Sequence, residues 1–162
     1  EEYEIINYGD RMLDIAVEED YVDSRDEIKE LGAETQKQVQ MDAAESIVED
    51  AEDGKVIVDT HAAIKTPQGF LPGLPQWTIE NLEPEKIVML TADHQEIYER
   101  SVSDSDRERE HDGPEDVELY QDVAREMAAA GSVLTGAYLK VLENPSNGAR
   151  EAAKELVSVL ES

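Results

Sequence analysis

The stretch that decides the fold is residues 55–76, KVIVDTHAAIKTPQGFLPGLPQ. Its first part, 55–60, is a short run rich in β-branched residues without polar alternation, and such a run is typical of a parallel-sheet strand covered on both faces. Asp59 stands near the end of this run. The second part, 66–76, holds three prolines and two glycines, and this composition predicts a shaped loop rather than a regular element.

The rest of the chain repeats the alternation of strand and helix. Runs at 3–8, 86–91 and 139–142 predict further strands. A long helix-period stretch ends at Gly54, a capping box at 24–27 begins a shorter helix before it, Pro114 suits a first helical turn, and the chain closes with an amphipathic helix. We therefore expect an α/β fold, a doubly wound parallel sheet with helices on both faces, in one domain over 1–162. In such a fold ligands bind at the carboxyl ends of the strands.

The composition excludes several classes of protein. Against 40 Asp and Glu there are 14 Lys and Arg, so the formal net charge of the 162 residues is −26. That charge argues against a nucleic-acid groove or an anionic membrane as partner. With no cysteine in the chain, disulfides, thiolate zinc sites and cysteine nucleophiles are excluded. No apolar run approaches the ~18 residues of a membrane span, and the histidines lack ligand-like spacing.

Two features could carry chemistry. Asp59 stands at a strand end, where a phosphoryl-transfer enzyme can hold a magnesium-bound water, although many such aspartates only cap the following turn. Segment 103–116 contains no strongly apolar residue and carries Arg107 and Arg109 among acids. Their guanidinium groups could bind phosphate oxygens bidentately on a lid that closes over a substrate, or could simply pair with the neighbouring carboxylates.

Several segments together resemble the archaeal-type adenylate kinases, and the resemblance spans nearly the whole chain. The most specific is DTH…KTPxGxLxGLP, from Asp59 to Pro75. The others are 7–10 (NYGD), 24–31 (SRDEIKEL), 35–37 (TQK) and 133–137 (VLTGA). The resemblance implies a P-loop kinase fold and reversible phosphoryl transfer from Mg-ATP to AMP, giving two ADP. Such a reaction depends on positioning and charge neutralisation.

The resemblance also implies roles for particular residues. Those placed in the AMP pocket are Gly9, Met12, Arg25, His61, Lys65, Gly69 and Pro72. Asp59 would lie near Mg²⁺, which it would reach through a bound water. The catalytic arginines would be Arg107 and Arg109 in the lid, with Arg125 on the following helix.

The sequence departs from the family pattern at some positions. Asp106 replaces the threonine expected before the first lid arginine, Ser101 replaces an arginine, and Lys29 stands where arginine is frequent. The pattern GxxxxGK[ST] does not occur in residues 1–162. We therefore expect the family's first strand, phosphate loop and first helix to precede Glu1, and that strand to lie centrally, between the strand that ends at Asp59 and the one that begins near Lys86. Residues 1–162 alone are then expected to be inactive.

Alternatives remain beside adenylate kinase. They are a kinase for another nucleoside monophosphate, a noncatalytic nucleotide-binding module that has truly lost its phosphate loop, and, least favoured, an acidic protein mimicking nucleic acid.

The resemblance implies a homo-oligomer, a trimer in this family, with ATP and AMP as ligands. We read the charge of −26 as adaptation to the salt-rich cytoplasm of a halophilic archaeon, where a short Debye length screens surface carboxylates.

Overall fold

The computed structural model describes residues 3–103 and 112–162. These residues form two compact units. The first contains the described residues up to His61 together with Gly73–Glu83, and the second contains Ala62–Pro72 together with the described residues from Pro84 onward.

The first unit is built on a pair of parallel strands. Strand β1 (Tyr3–Asn7) pairs with β2 (Lys55–Asp59), and Asn7 lies opposite Asp59 at their carboxyl ends. Its helices are α1 (Tyr8–Glu18), a 3₁₀ helix (Arg25–Glu30), α2 (Ala33–Glu52) and α3 (Gln76–Leu82).

Two apolar clusters form the core of the first unit, the first between the strands and the helices and the second among the helices. One is formed by Ile6, Tyr8, Ala43 and Ile47, and the other by Ala16, Val22, Ile28 and Val39. Residues of α2 occur in both clusters, because their four-residue spacing places them on one face of the helix. Helix α2 is therefore the main support of the first unit.

The second unit contains another parallel pair and a hairpin. Strand β5 (Lys86–Thr91) pairs with β6 (Tyr138–Glu143), and their last residues lie opposite each other. The antiparallel hairpin consists of β3 (Ala63–Thr66) and β4 (Gly69–Pro72). The helices are α4 (His94–Ser103), α5 (Pro114–Thr135) and α6 (Ala149–Leu160). The hydroxyl of Tyr120 on α5 donates to the carbonyl oxygen of Ala63 at 2.6 Å, which ties the hairpin to that helix.

The structure confirms the α/β class, with parallel strands followed by helices, and corrects three details. Segment 66–76 is not a loop throughout: β4 and the first residue of α3 fall within it. The hydroxyl of Ser24 donates to Glu27 and makes no hydrogen bond to the backbone, so the capping box is incomplete. The strands are not covered on both faces, because Ile5 is 71% exposed and Leu90 50%.

In the described part of the chain the two parallel pairs are separate sheets, and β2 and β5 are not hydrogen-bonded to each other. The expected central strand between them stays a prediction. None of the helices among residues 3–103 and 112–162 combines the length and the apolar character needed to cross a membrane.

Candidate functional site

The carboxyl ends of β1 and β2 bring two polar residues together. Asn7 and Asp59 are partners in the strand register, and both are exposed. The side-chain oxygen of Asn7 accepts a hydrogen bond of 3.0 Å from the backbone N–H of Asp10, which caps helix α1. Asp59 makes no hydrogen bond to a turn among the described residues, so its carboxylate is available to a ligand at the strand end.

The surroundings of Asp59 can be compared with what a magnesium ion requires of a protein. No cluster of three or more His, Asp or Glu side chains suited to a metal lies within the described residues. Mg²⁺ in nucleotide sites keeps several waters and takes only one or two protein carboxylates, since the phosphates supply the remaining oxygens. One exposed carboxylate at a strand end meets that requirement.

Next to this edge, Gly9 and Arg25 are in close contact. A β-carbon built at Gly9 would collide with the guanidinium group of Arg25. That guanidinium donates to Asp10 at 2.7 Å, and the two side chains are 59% and 64% exposed. An ion pair this exposed contributes little to stability. Arg25 can therefore exchange Asp10 for an anionic ligand at small cost.

A buried hydrogen-bond network lies beneath this surface. The hydroxyl of Tyr8, which is 3% exposed, donates to the backbone oxygen of Gln40 at 2.9 Å and lies 3.2 Å from the hydroxyl of Thr78. Burial raises the pKa of Tyr8 to about 12, although the hydrogen bond with Thr78 opposes the rise. Tyr8 therefore fixes the start of α1 against α2 and α3.

The other residues implied for the AMP pocket have different surroundings. Met12 is half-buried and packs against both apolar clusters of the first unit, while His61 is exposed two residues after Asp59. Lys65, Gly69 and Pro72 all lie on the β3–β4 hairpin. The ammonium group of Lys65 is hydrogen-bonded to the carboxylate of Asp116 on α5.

Gly69 has a φ of 127°, a conformation that favours glycine. It is the first residue of β4 and pairs with Thr66 across the turn, and the hydroxyl of Thr66 donates to its carbonyl oxygen at 2.7 Å. Pro72, at the other end of β4, lies opposite Ala63. Gly69 and Pro72 therefore shape the hairpin whatever they contact in a complex.

An open cleft of about 360 Å³ lies at the carboxyl ends of β5 and β6 in the second unit. Arg125 lines it, along with His94 and Gln121. Five carboxylate side chains also line it: Asp93, Glu96, Glu118, Asp122 and Glu143. Within the described residues Arg125 makes no hydrogen bond or ion pair, so its guanidinium is available to a phosphate. Arg107 and Arg109 lie outside the described residues.

Two sets of contacts around this cleft were missed from the sequence. The side-chain amide of Gln121 binds both backbone polar groups of Ala92. Glu96 accepts from the backbone N–H of Ser146 at 2.9 Å, and Arg100 donates to the hydroxyl of Ser146 at 3.1 and 2.7 Å. The hydrogen bond from the backbone N–H of Ser146, followed by one from its side chain and by the nearby charge of Arg100, lowers the pKa of Glu96.

One signal for Gln121 existed in the sequence. It follows Val117 by four residues and precedes Ala128 by seven, on a stripe whose other members are buried. A polar side chain at a helix position that faces the interior requires a hydrogen-bond partner. The pattern could therefore predict that the side chain of Gln121 makes hydrogen bonds, but it could not identify Ala92 as the partner.

Parallel strands followed by helices are the architecture of α/β proteins that bind ligands at strand ends, the class to which P-loop nucleotide-binding proteins belong. A family model described as an AAA domain matches residues 2–118. The chain is 46% identical over 160 residues to an adenylate kinase of Methanothermobacter thermautotrophicus, an alignment covering 99% of this chain and 86% of the relative. It belongs to the adenylate kinase family.

Two further relatives carry the same name. An adenylate kinase of Methanopyrus kandleri is 47% identical over 164 residues, covering 100% of this chain and 86% of the relative. One of Methanocaldococcus jannaschii is 41% identical over 159 residues, covering 98% and 83%. The similarity therefore extends through both units.

Proposed function

We propose that this chain catalyses the reversible transfer of the γ-phosphoryl group from Mg-ATP to AMP, giving two ADP. The observation that carries the proposal is the identity of 46–47% to adenylate kinases over nearly the entire chain. The alternative acceptors CMP, UMP and GMP remain the closest rivals, because acceptor preference rests on a few contacts to the base.

The reaction breaks the bond between the γ-phosphorus and the bridging oxygen of ATP and forms one to a phosphate oxygen of AMP. Little covalent chemistry is required of the protein, so catalysis depends on alignment and charge neutralisation. Arg25 would bind the AMP phosphate, with Gly9 providing the room for its guanidinium. By family resemblance Met12 would belong to the same part of that pocket as Gly9 and Arg25, and His61, Lys65, Gly69 and Pro72 would shape its other wall.

Magnesium would accompany the nucleotide. Asp59 would hold it through a bound water, and the ion would neutralise charge on the phosphate oxygens. Arg125 would contact the phosphates from the cleft at the ends of β5 and β6, whose lining otherwise contains five carboxylates. Arg107 and Arg109 would approach from the lid-like segment 103–116 and exclude water on closure.

The acidic composition bears on where the enzyme works. A net charge of −26 repels nucleotides at low ionic strength, whereas at ~1 M salt the Debye length falls to near 3 Å. We assign the protein to a salt-rich cytoplasm of the halophilic type. By family resemblance it would act as a homotrimer.

A panel of acceptors tests the proposed function. The full-length protein is incubated with Mg-ATP and either AMP, CMP, UMP or GMP in molar KCl, and the nucleoside diphosphates are separated by chromatography. We expect kcat/KM for AMP to exceed that for each other acceptor at least tenfold. A higher value for another monophosphate supports the rival kinase, and nucleotide binding without turnover supports the noncatalytic module.

A further inference from the structure

The side chain of Gln121 makes two hydrogen bonds to one residue at the end of β5. The amide oxygen of Gln121 accepts from the backbone N–H of Ala92 at 3.1 Å, and the amide nitrogen of Gln121 donates to the carbonyl oxygen of Ala92 at 2.9 Å. Ala92 directly follows the last residue of β5. The amide thus takes the place of a neighbouring strand at the point where the strand ladder stops.

Gln121 and Arg125 are neighbours on α5. Residues four apart on a helix lie on the same face, and both of these line the cleft together with Ala92. The amide of Gln121 therefore fixes this face of α5 against the end of β5. Arg125 is on the next turn of α5, so the same contact fixes the backbone position from which its side chain extends relative to the end of β5.

The chemistry of the contact requires an amide. At neutral pH an amide side chain offers a donor and an acceptor side by side without carrying charge, which a carboxyl group does only when protonated. An ionised carboxylate can accept from Ala92 but cannot donate to its carbonyl oxygen, and a thioether cannot donate and accepts only weakly. A charged group would also add to a lining that already has five carboxylates.

We propose that Gln121 is a positioning residue for phosphoryl transfer: by binding Ala92 at the end of β5, it holds α5 so that Arg125 is aligned in the cleft. This inference rests on the proposed function, in which Arg125 contacts nucleotide phosphates. A misplacement of a catalytic group by about 1 Å can lower the rate by ~10²-fold.

A double-mutant cycle tests the inference on the full-length protein. The variants are Gln121→Met, Arg125→Lys and the two combined. The matched control is Gln95→Met, which removes an exposed hydrogen bond between Gln95 and Glu99 on α4. We expect Gln121→Met to lower kcat at least tenfold while the KM values for ATP and AMP change less than threefold. In the Arg125→Lys background the same change should lower kcat less than threefold, because the group it aligns is already altered.

The variant Gln121→Glu supplies a second measurement in case Gln121→Met does not fold. When protonated, a glutamic acid can both donate to and accept from Ala92. The protonated fraction of a carboxyl group with a pKa of about 4.3 grows as the pH falls toward 5, so the ratio of the variant's kcat to that of the wild-type protein should rise about twofold between pH 7 and pH 5. The wild-type protein and the variant share the other charged and titratable groups that line the cleft, so the ratio cancels their titration. These groups are Asp93, His94, Glu96, Glu118, Asp122, Arg125 and Glu143.

The outcomes are distinct. Equal losses from Gln121→Met in both backgrounds, or a pH-independent ratio for Gln121→Glu, would overturn the positioning role. A loss for Gln95→Met as large as that for Gln121→Met would overturn it as well. The turnover of the wild-type protein is measured before any variant is compared. If the wild-type protein folds but shows no AMP-dependent turnover, that result contradicts the proposed function instead of the positioning role.

Discussion

The guanidinium group of Arg25 lies where a β-carbon at position 9 would stand, so any side chain larger than that of Gly9 would push the end of the arginine away from the start of α1. The two residues are 16 positions apart in the sequence. Their contact places an exposed cation beside the start of α1, at the same edge as Asn7 and Asp59. An anionic group that binds this edge would meet that cation.

Replacing Gly9 by alanine should weaken the binding of AMP. The new methyl group would displace the guanidinium of Arg25. We expect KM for AMP to rise about tenfold, equivalent to about 1.4 kcal/mol, with a smaller change in KM for ATP. The control is Gly32→Ala, where the added β-carbon meets no atom within 4 Å. Equal effects on AMP and ATP would show that Arg25 does not select the acceptor.

Replacing Tyr8 by phenylalanine should destabilise the first unit. The change removes a buried hydroxyl that hydrogen-bonds to Gln40 and Thr78, and such a loss costs about 1–3 kcal/mol. Chemical denaturation measures the change. Tyr21→Phe is the control, because Tyr21 is 42% exposed. A free energy of unfolding unchanged in Tyr8→Phe contradicts the role of the hydroxyl.

The pKa of Tyr8 also predicts a dependence of stability on alkaline pH. Its pKa in the folded chain is raised to about 12 by burial, from about 10 in the unfolded chain. The hydroxyl therefore ionises more easily when the chain unfolds. Its contribution is fully present below pH 10 and is lost as the pH rises through 12, by at most about 3 kcal/mol.

Comparing wild type with Tyr8→Phe isolates that contribution. Between pH 10 and pH 12 the free energy of unfolding should fall more steeply in the wild-type protein than in the variant. Parallel curves would show that Tyr8 ionises equally in both states.

The lid arginines can be tested by substitution. Arg107→Ala and Arg109→Ala should each lower kcat at least tenfold with saturating ATP and AMP, because each removes a guanidinium proposed to neutralise phosphate charge. Arg150→Ala on α6 is the control, since Arg150 is exposed and pairs with no side chain among the described residues. Turnover near the wild-type value in both lid variants would show that the lid assignment is wrong.

Salt should raise both activity and stability. With a net charge of −26, screening reduces repulsion among surface carboxylates and between the protein and its nucleotides. We expect kcat/KM and the midpoint of thermal unfolding to increase from 0.1 M toward ~2 M KCl, as the Debye length shortens. A steady fall of both quantities over that range contradicts the halophilic assignment.

The fold was predictable where local signals were strong. The run at 86–91 coincides with β5, and Pro114 is the first residue of α5. Both follow from side-chain pattern and from the fixed φ of proline. The β3–β4 hairpin was missed because each strand has only four residues and is largely exposed. Its strands depend on their pairing, which composition does not reveal.

The site was predictable only in part. The strand-end position of Asp59 followed from the residues themselves, and the family resemblance indicated Gly9 and Arg25 without revealing that they touch. The hydrogen bonds between Gln121 and Ala92 join residues 29 positions apart. Contacts of this kind arise when a helix packs on a strand end, so the sequence pattern could not show them.

In the reaction proposed for this chain, AMP rather than water accepts the phosphoryl group. The most direct measurement is the product balance of the full-length protein with Mg-ATP in molar KCl, with and without AMP. We predict two ADP formed for each ATP consumed when AMP is present, and no ADP or inorganic phosphate when it is absent. Release of inorganic phosphate from ATP at the same rate with and without AMP would contradict the account.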